Sequence, residues 1–381
     1  MRDLRAPRAA FVSAVAMLFL AFGSPAVAQT TWHVMASPNR GSDFNDLFAV
    51  SARSTGDAWA VGSFRDANLR FRTLIEHYDG TAWRVVLSPN AGSSTNQLQA
   101  VDAISATDAW AVGQWFDGSA NRTLALRWDG QRWRVVPTPN VGSGDNVLRG
   151  VVAISPTDVW AVGSERSEGT FAPLTEHWNG SSWSVVTAPV GLGGGLLRAV
   201  AAVSATDVWA VGALGDGDDG ALAEHWNGSA WSMASMPAVF GEDSLASVTA
   251  VSSSDVWAVG HAGSRTLTEH WNGSAWNAVA SPNPVPANAN DFLNAVTAIS
   301  SSDVWAVGAV LDFLAGSVQS TITMRWDGQA WTVVPSPNPG GGDDVMAGVD
   351  SPGGSAVVAV GHTRQTLGGP DRTFVIATNQ G

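Results

Sequence analysis

The six-residue sequence DVWAVG at 158–163 is the feature that most limits how this chain can fold. It returns at 207, 255 and 303, the variant DAWAVG begins at 57 and 108, and a weaker seventh copy, AVVAVG, spans 356–361. Successive copies lie about 50 residues apart. A repeat of this length that contains strands is typical of β-propeller blades, which bury their faces against one another. Seven such units in one domain account for the length of the chain.

Each repeat contains four short segments with the composition of β-strands. In the third repeat they are LRGVVAIS (148–155), DVWAVG, LTEHWNG (174–180) and SWSVVTAP (182–189). Val, Ile, Trp and Thr dominate the segments, and Gly, Asn, Asp and Pro separate them, as strands and turns require. Strand alternation puts the bulky Trp160 and Val162 on one side of DVWAVG and small residues mostly on the other. We expect the bulky side of one blade to pack onto the small side of the next.

The two ends of the chain predict how the ring closes. TWHVMASPN (31–39) matches the fourth segment of a repeat, as in AWTVVPSPN (330–338), and RTFVIATNQG (372–381) matches the third. We expect the N-terminal strand to complete the last blade, because closure removes two exposed sheet edges. The predicted fold is an all-β, seven-bladed propeller of four-stranded antiparallel blades, with 29–381 as a single domain.

The combination of DVWAVG with EHWNGSSW (176–183) resembles secreted bacterial propellers of the Asp-box, or bacterial neuraminidase repeat, type and of the photosystem II assembly factor type. It is more distantly similar to kelch repeats. The turn in this chain is Asp/Asn-Gly-x-x-Trp, one residue shorter than the Asp-x-Gly-x-x-Trp of the Asp-box. The resemblance implies the propeller fold and leaves the function open, because such propellers include lectins, hydrolases, assembly factors and scaffolds.

The composition excludes several classes of function. The absence of Cys removes disulfides, thiol nucleophiles and thiolate metal sites. All 20 basic residues are Arg, so Schiff-base chemistry and a P-loop nucleotide site, which need Lys, are excluded. The formal net charge of −13 opposes binding to nucleic acid and to anionic membranes. No spacing of His, carboxylate or hydroxyl residues predicts a catalytic set, a metal site or a cofactor.

Residues 1–28 have the organisation of a secretory signal peptide. Three Arg precede the apolar stretch AAFVSAVAMLFLAFG, and AVA before Gln29 is a small-residue cleavage site. No later segment is long and apolar enough to span a membrane. The sequence therefore predicts a monomer that is secreted or periplasmic and does not insert into a membrane.

Residues that recur from blade to blade are predicted to be structural. All 19 Trp except Trp115 occupy three repeated positions, which favours blade packing over a ring of sugar-binding platforms. The Asp that opens each DVWAVG copy and the Asp/Asn-Gly after the third segment are predicted to fix turns. Four third segments carry Glu-His, whereas two carry Leu126-Arg127 and Met324-Arg325. We expect a turn Asp to partner the His or Arg.

The connections between strands distinguish two faces of the ring. The short repeated turns share one face, which we call the turn face, and the variable links share the other, the loop face, where scaffolds place recognition residues. Trp115 lies in a variable link beside Phe116 and Asp117, a set that suits a sugar or a peptide. The alternative is that Trp115 packs over its own blade. The link GDGDDG (215–220) lacks the distal Glu of a calcium loop, so we expect a solvated acidic loop.

The second position of each first strand varies and should line the mouth of the central channel on the loop face. Arg149 and Arg198, on adjacent blades, suit an anion or carboxylate, and pairing with acidic loops is the alternative. Gln99, Asn294 and Asp66 complete the predicted ligand-binding set. The seven varying residues are Phe48, Gln99, Arg149, Arg198, Ala246, Asn294 and Ala347.

Three functions remain open from the sequence. The favoured one is an exported, non-enzymatic binding or scaffold propeller that recognises a glycan or an extracellular protein through the loop face. A carbohydrate-active hydrolase or lyase would need carboxylates such as Asp66, Asp117 and Glu165 to converge at the channel mouth. A sialidase is disfavoured, because its nucleophile would have to be Tyr78, which holds a repeated structural place. The third function is an assembly factor for an exported complex.

Overall fold

Seven four-stranded antiparallel sheets make up the structure. A computed structural model describes residues 30–378 except 192, 218, 240–241, 285–288, 314–315 and 367. The predicted signal peptide and the last three residues lie outside this part of the chain. Within it, 28 strands form seven blades, and the predicted all-β, seven-bladed propeller is confirmed.

Every blade has four strands, ordered from the innermost at the channel to the outermost at the rim. Blade 1 has β2 (Asn45–Ser54), β3 (Asp57–Arg65), β4 (Phe71–Tyr78) and β5 (Trp83–Val85); blade 2 has β6 (Asn96–Ser105), β7 (Asp108–Phe116), β8 (Asn121–Trp128) and β9 (Trp133–Val136). Blade 3 has β10 (Asn146–Ser155), β11 (Asp158–Ser167), β12 (Thr170–Trp178) and β13 (Trp183–Val185); blade 4 has β14 (Gly195–Ser204), β15 (Asp207–Leu214), β16 (Ala221–Trp226) and β17 (Trp231–Met233). Blade 5 has β18 (Asp243–Ser252), β19 (Asp255–Ala262), β20 (Arg265–Trp271) and β21 (Trp276–Val279); blade 6 has β22 (Ala289–Ser300), β23 (Asp303–Asp312), β24 (Val318–Trp326) and β25 (Trp331–Val333). Blade 7 has β26 (Asp344–Asp350), β27 (Val358–Arg364), β28 (Asp371–Thr378) and β1 (Trp32–Met35).

The N-terminal strand closes the ring, as the sequence predicts. β1 pairs antiparallel with β28, with Trp32 opposite Thr378. The Trp32 ring meets the Trp305 ring of blade 6 edge to face, with centroids 5.4 Å apart, and its Nε1 donates to Thr323 Oγ1 at 3.1 Å. The first strand therefore joins both its own blade and the neighbouring one.

Tryptophans on facing strands pack six of the seven blades onto the next one. Trp160 of β11 is only 2% exposed. Its ring centroid lies 4.8 Å from that of Trp226 and 5.2 Å from that of Trp231, both in the following blade. Equivalent contacts recur at five other interfaces, the last being Trp305 with Trp32, and the predicted packing role is therefore observed. The Gly that ends the motif is needed for close approach, because a Cβ at Gly163 would clash with the carbonyl oxygen of Val147.

The Asp of the motif acts differently from the turn-fixing role expected of it. Asp158 Oδ1 lies 2.8 Å from His177 Nε2 on the third strand, while the turn amide of Thr157 donates to Ser155 Oγ. Alternation puts Asp158 and Trp160 on the same side of β11, and His177 lies opposite Trp160 in the register. The carboxylate therefore reaches across the strand pair and partners the His, or the Arg that replaces it in two blades, as the sequence predicts. The same contact joins Asp57 to His77, Asp207 to His225, Asp255 to His270, Asp108 to Arg127 and Asp303 to Arg325.

The Asn-Gly turns have the predicted form. Asn179 Oδ1 accepts hydrogen bonds from the amides of Ser181 and Ser182, and Gly180 has φ of 94°. The positive φ is accessible to Gly at no steric cost. In the described part of the chain, no helix is long and apolar enough to cross a membrane.

Candidate functional site

The innermost strands surround a central channel with a volume of about 390 Å³. Its lining comes from all seven blades and includes every one of the seven variable positions. Each variable position lies near the start of its strand, which is the end on the loop face. The chain thus brings seven side chains of five types to one opening: Phe48, Gln99, Arg149, Arg198, Ala246, Asn294 and Ala347.

Arg149 and Arg198 form the positively charged part of the channel mouth. Arg198 donates from Nη1 to Ser244 Oγ at 2.6 Å and from Nη2 to the Gly217 carbonyl oxygen at 2.9 Å. Arg149 Nε is buried and has no hydrogen-bond partner among the described residues. Burial, followed by the positive charge of Arg198, lowers the pKa of Arg149. Two guanidinium groups that repel each other, one of them with an unused donor, favour the entry of an anion.

Gln99 and Asn294 line the same channel. Asn294 Nδ2 donates to the carbonyl oxygen of Met346 in the next blade at 2.8 Å. Its amide nitrogen therefore links blades 6 and 7 as well as facing the channel. Gln99 lies on the blade between those of Phe48 and Arg149.

Two carboxyl groups deeper in the channel were not among the residues predicted from the sequence. Asp350 accepts hydrogen bonds from the Ala52 amide of blade 1 and from Thr297 Oγ1 of blade 6. Asp102 Oδ2 accepts from the Ala153 amide of blade 3 at 2.7 Å. Burial is the main cause that raises the pKa of Asp350, to about 6. These carboxyl groups tie neighbouring blades together. In the sequence they are recognisable as an acidic residue at a first-strand position where the other blades carry Ser, Thr, Val or Ala.

Trp115 and Phe116 lie at the end of β7 and are half-buried. A Cβ at Gly92, in the link between blades 1 and 2, would come within 2.9 Å of Trp115 Cε3. Trp115 therefore packs on a link that only Gly accommodates, which is the alternative raised from the sequence. Trp115 also packs against the hydrophobic cluster between blades 1 and 2.

Asp66 and Asp117 hold their own hairpins together. Asp117 Oδ1 accepts from the Ala120 amide, and its Oδ2 accepts from Arg122 Nε at 2.7 Å. Asp66 Oδ2 accepts from Arg72 Nε at 2.9 Å. The hydrogen bonds, led by those from the backbone amides and including those from the Arg, lower the pKa of both carboxyl groups. A glycosidase acid needs a raised pKa, so this pair does not supply one.

The structure thus brings together only part of the predicted set. Arg149, Arg198, Gln99 and Asn294 share the channel. Trp115, Phe116, Asp117 and Asp66 belong to the second-to-third-strand hairpins of blades 1 and 2, outside the channel lining. Within the described residues, no three His, Asp or Glu side chains cluster as a metal site.

The comparisons with known proteins agree with the fold. A scan against protein-family models and a search of curated proteins find no match. Among solved structures, "YCF48 bound to D1 peptide" has 14% identity and a TM-score of 0.59, over 94% of this chain and 97% of that one. This chain is similar in fold to YCF48. YCF48 from Cyanidioschyzon merolae has 14% identity and a TM-score of 0.56 over 91% and 98% of the two chains, and U3-55K has 12% and 0.60 over 92% and 98%. Identities this low show a shared fold alone.

Proposed function

We propose that this protein is an exported, non-catalytic binding propeller whose loop face holds a segment of a partner protein. A carboxylate of that segment lies at the channel mouth between Arg149 and Arg198. The observation that carries the proposal is the unused Nε donor of Arg149 beside a second guanidinium. Export rests on the signal-peptide pattern of residues 1–28.

A carboxylate fits the charge distribution. Guanidinium groups bind carboxylates through paired, charge-assisted hydrogen bonds. The chain as a whole has a formal net charge of −13, so most of its surface repels anions. An acidic partner is therefore directed to the channel mouth, where repulsion between the two Arg is relieved on binding.

A protein segment is favoured over a glycan as the source of the carboxylate. Trp115, the aromatic residue best suited to sugar stacking on the loop face, packs on Gly92. YCF48, which has a similar fold, is described as bound to a peptide. We include in this proposal that the chain is related to propellers of the photosystem II assembly factor type.

Neutralising the two Arg should abolish most of the binding. Peptides with a free terminal carboxylate are first selected from a displayed random library against the wild-type protein, and the affinity of the best is measured by fluorescence polarisation. The double variant R149Q/R198Q should bind at least about tenfold more weakly, which corresponds to roughly 1.4 kcal/mol. Wild-type affinity should also fall as salt is raised.

The matched control removes the same charge elsewhere. Arg84 and Arg134 are exposed on the turn face and pair with Asp79 and Asp129. R84Q/R134Q should bind within about twofold of wild type. Equal weakening in both double variants, or none in R149Q/R198Q, would contradict the proposed site.

A further inference from the structure

Blade 7 lacks a Trp, a His or Arg, and an Asp that stand at three equivalent positions in each of the other six blades. In blade 1 they are Trp59, its cross-strand neighbour His77, and Asp57. Val358 and Ala377 pair at the corresponding register in blade 7. Counting back along AVVAVG, Ala356 stands in the Asp position. Blade 7 therefore presents three small side chains to blade 1, where the other interfaces have an indole ring, a His or Arg, and a carboxylate.

A pocket of about 160 Å³ lies where the missing ring would be. Val358 and Ala377 line it from blade 7, and Ala58, Tyr78 and Trp83 line it from blade 1. Its accessible surface is mostly apolar. The pocket opens beside the turn between β2 and β3, so it belongs to the turn face and is separate from the Arg pair.

The walls that receive an indole ring are retained in blade 1. At the next interface, the Trp59 centroid lies 5.0 Å from that of Trp128, and 5.2 Å from that of Trp133 in an edge-to-face contact. Tyr78 and Trp83 are the equivalents of that receiving pair. Their centroids are 5.5 Å apart at 40°, compared with 5.9 Å and 47° for Trp128 and Trp133. The receiving geometry is therefore present without the ring it receives elsewhere.

We propose that this pocket binds a free planar aromatic molecule of about the size of indole. The fold itself identifies the ligand chemistry, because five other interfaces enclose an indole between the same two wall positions. The volume is similar to that of an engineered apolar cavity of about 150 Å³ in another protein, which binds the aromatic ring of benzene. The exposed Ser54 and Thr55 line the rim and supply hydroxyl groups for a polar substituent or ring N–H.

The test uses 5-fluoroindole as the probe and the full chain. We expect the fluorine NMR signal of the probe to broaden on addition of protein, with a dissociation constant on the order of 0.1–1 mM. Val358→Trp supplies the missing ring, so it should abolish the broadening and raise the melting temperature. Cyclohexylmethanol, which is apolar but not planar, should fail to displace the probe at equal concentration.

Two further variants keep the test decisive. Ala377→Met narrows the pocket from the neighbouring strand of the same blade without adding a ring, and it should weaken probe binding at least about fivefold even if Val358→Trp does not fold. Arg134→Gln lies on the turn face outside the pocket and should keep wild-type affinity. The absence of broadening with wild-type protein at millimolar concentrations would overturn the proposal. Undiminished binding by Val358→Trp or by Ala377→Met would also overturn it.

Discussion

Replacing Trp160 with Ala is expected to lower the free energy of unfolding by about 3–5 kcal/mol, which is the range for large aromatic residues removed from a core. Trp160 is 2% exposed and contacts two Trp rings of the next blade. Its removal leaves a cavity that neither rigid sheet can close. Denaturant unfolding followed by tryptophan fluorescence measures the loss.

Trp271 provides the matched control. It occupies a third-strand position, is half-buried, and contacts Trp209 from the outer part of the interface. Trp271→Ala should cost clearly less than Trp160→Ala, because less of its surface is removed from water. If Trp160→Ala lowered the free energy of unfolding by less than about 1 kcal/mol, the repeated Trp would not be packing residues. A ligand-binding role would then be the better interpretation of them.

Stability is expected to fall as the pH rises from about 5 to 8. Glu76, Glu176, Glu224 and Glu269 are fully buried at blade interfaces. Neither Oε of Glu176 has a hydrogen-bond partner among the described residues, and burial raises the pKa of this carboxyl to about 8. The ordinary value of 4.5 applies in the unfolded chain. Between these values the folded protein holds the proton more tightly, so the stability contributed by the group is full below about 4.5 and is lost through 8.

Replacing one of these carboxyl groups with a hydrocarbon should remove its share of the pH dependence. Leu126 and Met324 occupy the equivalent position in blades 2 and 6 and are fully buried. Glu176→Leu should therefore raise stability at pH 8 by roughly 1–3 kcal/mol, because no charge must be buried there. Thermal unfolding measured at half-unit steps from pH 4 to 9 gives the profile.

The exposed Glu168 serves as the control for this series, and Glu168→Gln should leave the profile unchanged. A decrease in stability below about pH 4 is expected in all variants, because the Arg134 side chain and then the Arg132 amide lower the pKa of Asp129 to about 2. A wild-type profile that is flat or rises between pH 5 and 8 would show that the buried carboxyl groups ionise freely.

The fold could be predicted from the sequence because the same strand pattern recurs in every repeat. Each DVWAVG copy fixes a strand, its small and bulky sides and its terminal Gly, and the Trp32 segment fixes the closing strand. The Asn179-Gly180 turn follows from local chemistry alone. Local pattern and tertiary structure agree at these positions, which is what makes the prediction reliable.

The site could be predicted only in part, because side-chain partners across blades are set in three dimensions. The position of Arg149 and Arg198 in the channel follows from strand order. The packing of Trp115 on Gly92 does not, since that contact depends on how the hairpin of blade 2 folds back over the link between blades 1 and 2. The weak repeat AVVAVG was visible, but the pocket it leaves also requires the positions of Tyr78 and Trp83 on the next blade.

Hydrogen–deuterium exchange with a bound peptide tests the central claim most directly, namely that the repeat is framework and the channel mouth on the loop face is the binding site. The peptide is the tightest one selected against the wild-type protein, added at saturation. We predict slower amide exchange at the starts of β10 and β14, around Arg149 and Arg198, and in the loop that includes Gly217. Protection confined to the turn face, or to the outer strands of the blades, would contradict the account.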